Sequence, residues 1–496
     1  MSYVISKMAP ENTACVYPHD IVTIERALKE RVFFVDLGGR WQPAPTPLPG
    51  LTCQRLEQFR RRLKPHLPST TQCTYEEFLS YYTGRKFVVY KKAVESLRSI
   101  GISARDSRIK AFVKAEKGKP GSAPRVIQPR DPRYNVEVGR FIKPIEERLC
   151  KAISKVFGGP TVMKGYNAHG VAKQMHSMWT QFSKPVAIGL DAKRFDQHVS
   201  VDMLRWEHGI YKDCIKSPVD RAILSELLSW QLINRGSAYC KDGKLRYKVK
   251  GKRMSGDMNT GLGNCLLMSA MVYSYCKSKC VNIRLANNGD DCVVFMETRD
   301  MDRFRNGLEE WFLELGFQIV AEAPVHDFER IEFCQSHPVH DGYQYTMVRN
   351  LRAFVKDSVS LVPLTSPFTV KSWLAAVGDA GMSLTGGIPI WQEYYSVYQR
   401  SSEALTSQKR RRGASRFVDQ SAFETGMMMA ARGMHRKYGD VSPYARYSFW
   451  LAFGITPDHQ IALEKQYEAL PLIRLMTNAD EDLLAPPYHN GFTDAY

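Results

Sequence analysis

Residues 285–296, LANNGDDCVVFM, restrict the fold of this chain more than any other stretch. An extended, mostly apolar run meets Asn288-Gly289-Asp290-Asp291, and a second run of β-branched and aromatic residues leaves it. Asn-Gly accepts the positive φ angles of a tight hairpin, so the segment predicts two short strands joined by a turn. That turn carries two adjacent carboxylates and no basic neighbour. Such a pair repels unless a cation sits between its members, which makes it a hard-cation site in waiting. The same residues also describe a solvated acidic turn, and Gly-Asp-Asp arises by chance in roughly one chain in ten of this length. The decision rests on whether the rest of the chain supplies partners.

Composition narrows what those partners serve. Lys and Arg number 69 against 51 Asp and Glu, a formal charge of +18 over 496 residues. This excess favours a polyanion, nucleic acid before an anionic membrane surface. A hydrophobic content of 44% is that of a folded protein, and the length predicts two to four lobes. The 11 cysteines are scattered; Cys276 with Cys280, and His337 with His340, each lack a second pair at zinc-finger spacing. Free thiols in a reducing compartment are expected. No run of 18 apolar residues, signal-peptide core or internal repeat stands out, so no transmembrane helix is expected.

In chain order, the first 50 residues open loosely and end in a Pro-rich connector over 41–50. Helices are expected over 51–64, stopped by Pro65, and over 74–82 and 90–100, making a basic helical lobe. Residues 108–130 change character. Two β-type runs, 109–114 and 125–128, flank a Gly/Pro/Ser loop, and Arg108, Lys110, Lys114, Lys117, Lys119, Arg125 and Arg130 face only Glu116. Such an arm suits the wall of a triphosphate channel, because Lys and Arg neutralise phosphate oxygens. It equally describes an exposed basic hairpin. After helices over 135–157 and 169–182, a short apolar strand ends on Asp191, and Asp196 follows five residues later. Open sheets place functional groups at strand ends, although an Asp there also serves as a helix N-cap.

Helices over 202–213 and 218–233 lead to a basic stretch at 237–253. Asp242-Gly243 marks a hairpin turn, and Lys244, Arg246, Lys248 and Lys250 alternate with Leu245, Tyr247 and Val249. One strand face is therefore cationic, suited to a nucleic-acid groove or to plain solvent. Then comes Ser255-Gly-Asp-Met-Asn-Thr-Gly-Leu-Gly-Asn264, opening an apolar helix from Cys265 to about Cys276. Ser255, Asn259, Thr260 and Asn264 offer hydroxyls and amides that suit a sugar, and an ordinary capped helix start has the same composition. Further on, 301–315 reads as a helix, and 331–336 with 343–349 as a hairpin. From 350 onward the chain reads as mainly helical, with Lys409-Arg-Arg-Arg412 a solvated basic loop or an RNA contact, and a Pro-Pro tail.

The order of these pieces says more than any one of them. A basic arm, a strand ending in Asp-x4-Asp, Ser-Gly-x3-Thr-x3-Asn opening a helix, and a Gly-Asp-Asp hairpin follow one another. This succession resembles the viral RNA-dependent RNA polymerases, and the local sequences resemble those of the tombusvirus and carmovirus type, family Tombusviridae. Motifs carry the likeness over residues 83–356, with Glu332-Phe-Cys-Gln-Ser336 matching the family's primer-grip hairpin. The resemblance implies an α+β fold, a closed right-hand polymerase with an antiparallel palm sheet and a mainly helical thumb. The implied division is an N-terminal region and fingers over 1–185, a palm strand over 186–200, a fingers insertion over 201–253, further palm over 254–350, and thumb with tail over 351–496.

The implied activity is RNA-templated RNA synthesis replicating a positive-strand genome, with pyrophosphate released and initiation without a primer. Asp191, Asp290 and Asp291 are the implied catalytic and metal-binding residues, the first two bridging a pair of ions and the third supporting them. Mg²⁺ is expected because it is hard and shared with substrate phosphates, with Mn²⁺ as a substitute. Lys114, Lys117, Arg125 and Ile127 would hold the incoming nucleotide, and Asp196, Ser255 and Asn264 would read its 2′-OH with help from Thr260. Arg130, Lys244, Arg246, Lys248, Lys250, Cys334 and Gln335 are the implied RNA contacts. Expected partners are RNA template and product, ribonucleoside triphosphates, a viral membrane-anchoring replication protein and host factors, at membrane-associated complexes in the host cytoplasm.

Two departures qualify the likeness. Many such polymerases carry a lysine after Gly-Asp-Asp, proposed to protonate pyrophosphate, yet residues 309–330 contain none. Relatives usually place a membrane-binding segment before the polymerase, and none is visible, so a partner or a separate segment is expected to supply it. The rival readings are a reverse transcriptase or other palm-type polymerase, and a non-enzymatic basic RNA-binding or coat protein.

Overall fold

Four strands form the central sheet of the computed structural model, in the order Ile283–Asn287, Asp291–Glu297, Pro185–Ala192 and Ile319–Ala321. Every neighbouring pair is antiparallel. The structure describes residues 3–5, 15–361, 364, 366–404, 427–470 and 475–476; Lys409–Arg412 and the Pro-Pro tail lie outside them. The expected acid-bearing hairpin is the middle of this sheet, its strands joined through Asn288, Gly289 and Asp290. Gly289 has φ 107°, a conformation open to glycine and strained for other residues.

Residues 292–296 are buried at every position, so this strand is covered on both faces. Val294 and Met296 pack with Ile188 and Leu190 into the main core, on the side of the helices Pro132–Phe157 and Thr260–Ser278. Val293 and Phe295 point the other way, against Met175 and Met178 of the helix Ala168–Trp179. The two faces follow from the side-chain period of two, and each large apolar side chain buried contributes about 1.5–3 kcal/mol. Helix Thr260–Ser278 begins within the Ser-Gly-Asp-Met-Asn block, earlier than its apolar run, and is buried throughout 262–276. Burial on all sides offsets the helix cost of two glycines, about 1 kcal/mol each.

Beside this core, Ile233–Cys240 and Gly243–Lys250 form a long antiparallel hairpin, and Ile109–Lys110 adds to it in parallel. A separate core gathers Phe354, Trp391, Tyr394, Tyr395 and Tyr398 from the C-terminal region, where helices Pro367–Thr385, Trp391–Ala404, Pro443–Phe453 and Pro457–Ala469 lie. There Asp357 accepts hydrogen bonds from Arg349 and from the Tyr395 hydroxyl.

Several expected elements differ, among them the helix over 218–233, which ends at Ser229 before the strand from Ile233. The helix over 301–315 is two short helices, Met301–Arg305 and Leu308–Glu314, separated at Asn306-Gly307, where Gly307 is left-handed. The helix at 90–100 starts earlier, as Gly84–Ser99. The hairpin after residue 331 pairs Ser336–His340 with Tyr345–Arg349, because Cys334 and Gln335 take positive φ of 52° and 57° and make a turn where a strand was expected.

Candidate active site

The sheet register brings two acids face to face. Asp191, the last residue but one of its strand, lies directly opposite Asp291, the first residue of the strand after the turn, and Asp290 precedes it. Residues paired across an antiparallel ladder project to the same face, so Asp191 and Asp291 share one side of the sheet. All three aspartates are solvent-accessible, and among the described residues none is in an ion pair. Desolvation by the surrounding protein, reinforced by the Asp290 charge and then by Asp191, pushes the Asp291 carboxyl up to about 6. Among the described residues, no group of three or more His, Cys, Asp or Glu side chains closes into a metal cage. The aspartates are set side by side by backbone pairing, and their hard oxygen donors and uncompensated charge fit a divalent cation.

A further acid joins them that the sequence reading missed. Glu322 follows Ile319–Ala321, and its backbone N–H donates to the Gly189 carbonyl at 2.9 Å. Its carboxylate lies across Gly189, two residues before Asp191, where any Cβ would collide with it. Burial raises the Glu322 pKa, with Glu332, Asp191 and Asp291 adding to the rise. Asn287 anchors the turn from behind. Fully buried, it donates to the Cys265 carbonyl and the Ser269 hydroxyl, each at 2.9 Å, and accepts from Gly289 N–H at 2.7 Å.

A second arrangement surrounds Asp196. Asn264 Nδ2 donates to Asp196 Oδ1 at 2.8 Å, while Asn264 Oδ1 accepts from Arg253 Nε at 3.0 Å. Arg253 and Glu207, each 2% exposed or less, form a two-pronged ion pair. Glu207 also accepts from Asn259 Nδ2 at 2.9 Å and the Tyr211 hydroxyl at 2.8 Å. Burial by itself raises the Glu207 pKa, and the Arg253 charge reverses this, leaving it below the usual carboxylate range. Burial raises the Asp196 pKa against the opposing bond from Asn264. Because a guanidinium only donates, Arg253 fixes which end of the Asn264 amide faces Asp196. Asn259, expected beside the sugar, is instead fully buried in this network. Thr260 donates to the Met254 carbonyl at 2.7 Å and so braces the loop, and Ser255 accepts from Gln128 N–H at 3.1 Å. Sequence carried one clue to this network: Glu207 sits on the helix Val201–Asp213 among apolar neighbours, and a carboxylate there demands a partner.

The basic arm divides. Lys114 and Arg125 both pair with Glu116, at 2.6 and 3.2 Å, and both remain partly exposed. The Arg125 charge reaches Asp196, lowering its pKa slightly. Ile127 is half-buried opposite Phe112. Two of the expected contacts are buried with partners inside the protein. Lys117 is 7% exposed, and its ammonium donates to the Lys356 carbonyl at 2.5 Å, tying the arm to the C-terminal region. Arg130, expected on RNA, is 3% exposed; it pairs with Asp257 and donates to Asn234 Oδ1 at 2.6 Å and the Ser107 carbonyl at 2.7 Å. A guanidinium so engaged in the interior holds the arm against the Ser255 block.

Lys244, Arg246, Lys248 and Lys250 are exposed along Gly243–Lys250, while Leu245, Tyr247 and Val249 are partly covered. Cys334 lies against the acidic turn, its sulfur accepting from Asn288 Nδ2 at 3.1 Å, and burial pushes its thiol up to about 12. Gln335 is exposed beside it. Lys164, unmarked by the sequence reading, donates to the Gly261 carbonyl at 2.9 Å. All eleven cysteines are free thiols.

A family model described as viral RNA dependent RNA polymerase matches residues 1–474. Among curated proteins, the chain is 44% identical over 481 residues to the RNA-directed RNA polymerase of Oat chlorotic stunt virus, covering 94% of this chain and 64% of that protein. It is 43% identical to the RNA-directed RNA polymerase of Turnip crinkle virus, covering 92% of this chain and 58% of the relative. The corresponding figures for Tobacco necrosis virus (strain D) are 44%, 92% and 63%. The chain therefore spans less than two thirds of the length of these relatives.

Proposed function

The chain belongs to the viral RNA dependent RNA polymerase family, and from that premise we propose that it catalyses RNA-templated RNA synthesis from ribonucleoside triphosphates. Membership implies a right-hand polymerase. We assign the palm to the central sheet, the fingers to the basic arm and the Ile233–Lys250 hairpin, and the thumb to the C-terminal helices. The observation that carries the reading is the register setting Asp191 opposite Asp291 with Asp290 adjacent. In the reaction, the primer-strand or initiating 3′ oxygen attacks the α-phosphorus of the nucleotide, and the bond to pyrophosphate breaks.

Asp191, Asp290 and Asp291 are the residues to hold divalent ions, with Mg²⁺ as the matching hard cation. When bound, the ions supply charge neutralisation at the attacking oxygen and at the departing pyrophosphate. Lys114 and Arg125 orient the triphosphate by charge-assisted hydrogen bonds. Asp196 and Asn264, already joined, present fixed polar groups to the ribose. A deoxyribose leaves such groups without their partner, which disfavours it. The exposed cations of Gly243–Lys250 contact RNA phosphates. RNA, a membrane-anchoring replication protein and host factors are the proposed partners; among the described residues no helix is long and apolar enough to cross a membrane.

The test is extension on an RNA template with ribo- or deoxyribonucleotides, with and without Mg²⁺ and primer. Metal-dependent ribonucleotide incorporation is expected. Preferential deoxynucleotide incorporation would assign the chain to the reverse transcriptases, and RNA binding without incorporation to non-enzymatic proteins.

A further inference from the structure

A cavity of about 920 Å³ lies between the base of the Ile233–Lys250 hairpin and the first turn of Val201–Asp213. None of the residues lining it is Asp191, Asp290, Asp291, Ser255 or Asn264. Its volume is that of a site for a small organic ligand. Its wall is cationic: Arg105, Arg108, Arg205, Arg235, Lys250 and Lys252 all line it. Asp202, the only acid in the lining, sits 3.5 Å from Arg205 and is spoken for. Among the described residues, no carboxylate pairs with the other five.

Lys252 is the telling member. It is partly buried, its ammonium has no hydrogen-bond or ion-pair partner among the described residues, and desolvation lowers its pKa to about 8. Its φ of 67° is left-handed although it is not glycine. Backbone strain of this kind persists where the surroundings hold a residue for a purpose, and a desolvated cation without an anion is costly. His198, in the same wall, is held by the chain itself: its Nδ1 lies 3.1 Å from the Arg194 carbonyl, and the Gln318 side chain bonds the ring. Trp230 supplies an aromatic surface in the same wall.

Anion-seeking cations beside an aromatic face together suit a nucleotide with several phosphates. We propose that this cavity is a second nucleoside triphosphate site, distinct from the catalytic cleft. It is joined to the sugar-reading network by the backbone, since Lys252 N–H donates to the Val199 carbonyl at 2.6 Å and Arg253 N–H to the Asp196 carbonyl at 2.8 Å. An occupant gripping Lys252 thus stiffens the loop that carries Asp196.

The experiment titrates the whole chain with ATP by calorimetry in EDTA, at fixed ionic strength and without template, so that its outcome is independent of polymerisation. One saturable ATP is expected, displaced by tripolyphosphate. R105A/R235A should weaken it about tenfold or more, whereas K114A/R125A, in the catalytic arm, should leave it unchanged. Absence of saturable binding overturns the proposal. So does a loss confined to K114A/R125A, which would return the ligand to the cleft. A short 5′-hydroxyl oligoribonucleotide that displaces ATP at lower concentration than tripolyphosphate would overturn it too, reassigning the cavity to an RNA strand.

Discussion

At the end of Pro185–Ala192, Asp191, Asp290 and Asp291 stand open to solvent with no cation of the described chain paired to them, whereas five residues on, Asp196 is tied through Asn264 and Arg253 to a fully buried Glu207. One region is left electrostatically incomplete and the other is complete without any ligand. The difference separates two jobs. The charges proposed to accept an ion and a substrate are kept unpaired, and burial, reinforced by the neighbouring Asp290 charge, raises the Asp291 pKa. The groups proposed to recognise a hydroxyl are fixed beforehand, so that little reorganisation is left for the moment of binding. In that proposal Arg253 and Glu207 act on the sugar only through Asn264, as positioning residues.

The sharpest way to break this contrast is Asp290→Asn. Nucleotide incorporation should fall about 10³-fold or more, roughly 4 kcal/mol of barrier. Urea unfolding should stay within about 0.5 kcal/mol of the parent, because no intramolecular partner is lost. Glu207→Ala should show the reverse pattern: it strands a buried guanidinium, and the same unfolding experiment should read a loss of about 3–5 kcal/mol. Glu207→Met combined with Arg253→Met should regain most of that stability while ribose selectivity stays impaired. That outcome would separate holding the fold from orienting Asn264.

The paired region also has a pH signature. His208 bonds Gln231, which bonds Asn259 in the same network, and burial depresses its pKa to about 4. The unfolded imidazole protonates near its ordinary pKa of about 6.5. Between these values the unfolded chain binds the extra proton, so this contribution is present above about pH 6.5 and is lost as pH falls toward 4. At 1.36 kcal/mol per unit the loss is roughly 3 kcal/mol. His208→Gln should flatten the unfolding midpoint over that window. Asn264→Ala should lower the preference for ribo- over deoxynucleotides about 10²-fold in competitive incorporation. The smallest effect belongs to the solvated strand face: Lys248→Ala should reduce the salt slope of single-stranded RNA binding by about 0.7, with little change in rate.

Period and turn chemistry made much of this molecule legible in sequence. The Gly-Asp-Asp hairpin, the strand that carries Asp191 and the cationic face of 244–250 all follow rules that act over a few residues. Long-range partners were not legible. Nothing local distinguishes Arg130, which the fold buries against Asp257, from Arg125 five residues earlier on the same arm, which it leaves exposed. Glu322 reaches the acidic site only because Ile319–Ala321 pairs with Pro185–Ala192. The turn at Cys334-Gln335 was read as strand because its residues carry no Gly, Asn or Pro to announce positive φ.

Asn287 has a mechanical consequence. One buried amide grips the acidic turn at Gly289 and the helix that carries Asn264 at Cys265 and Ser269. The helix and the turn are thus referenced to one side chain, so a single amide sets the spacing between the group proposed to read the sugar and the groups proposed to hold charge.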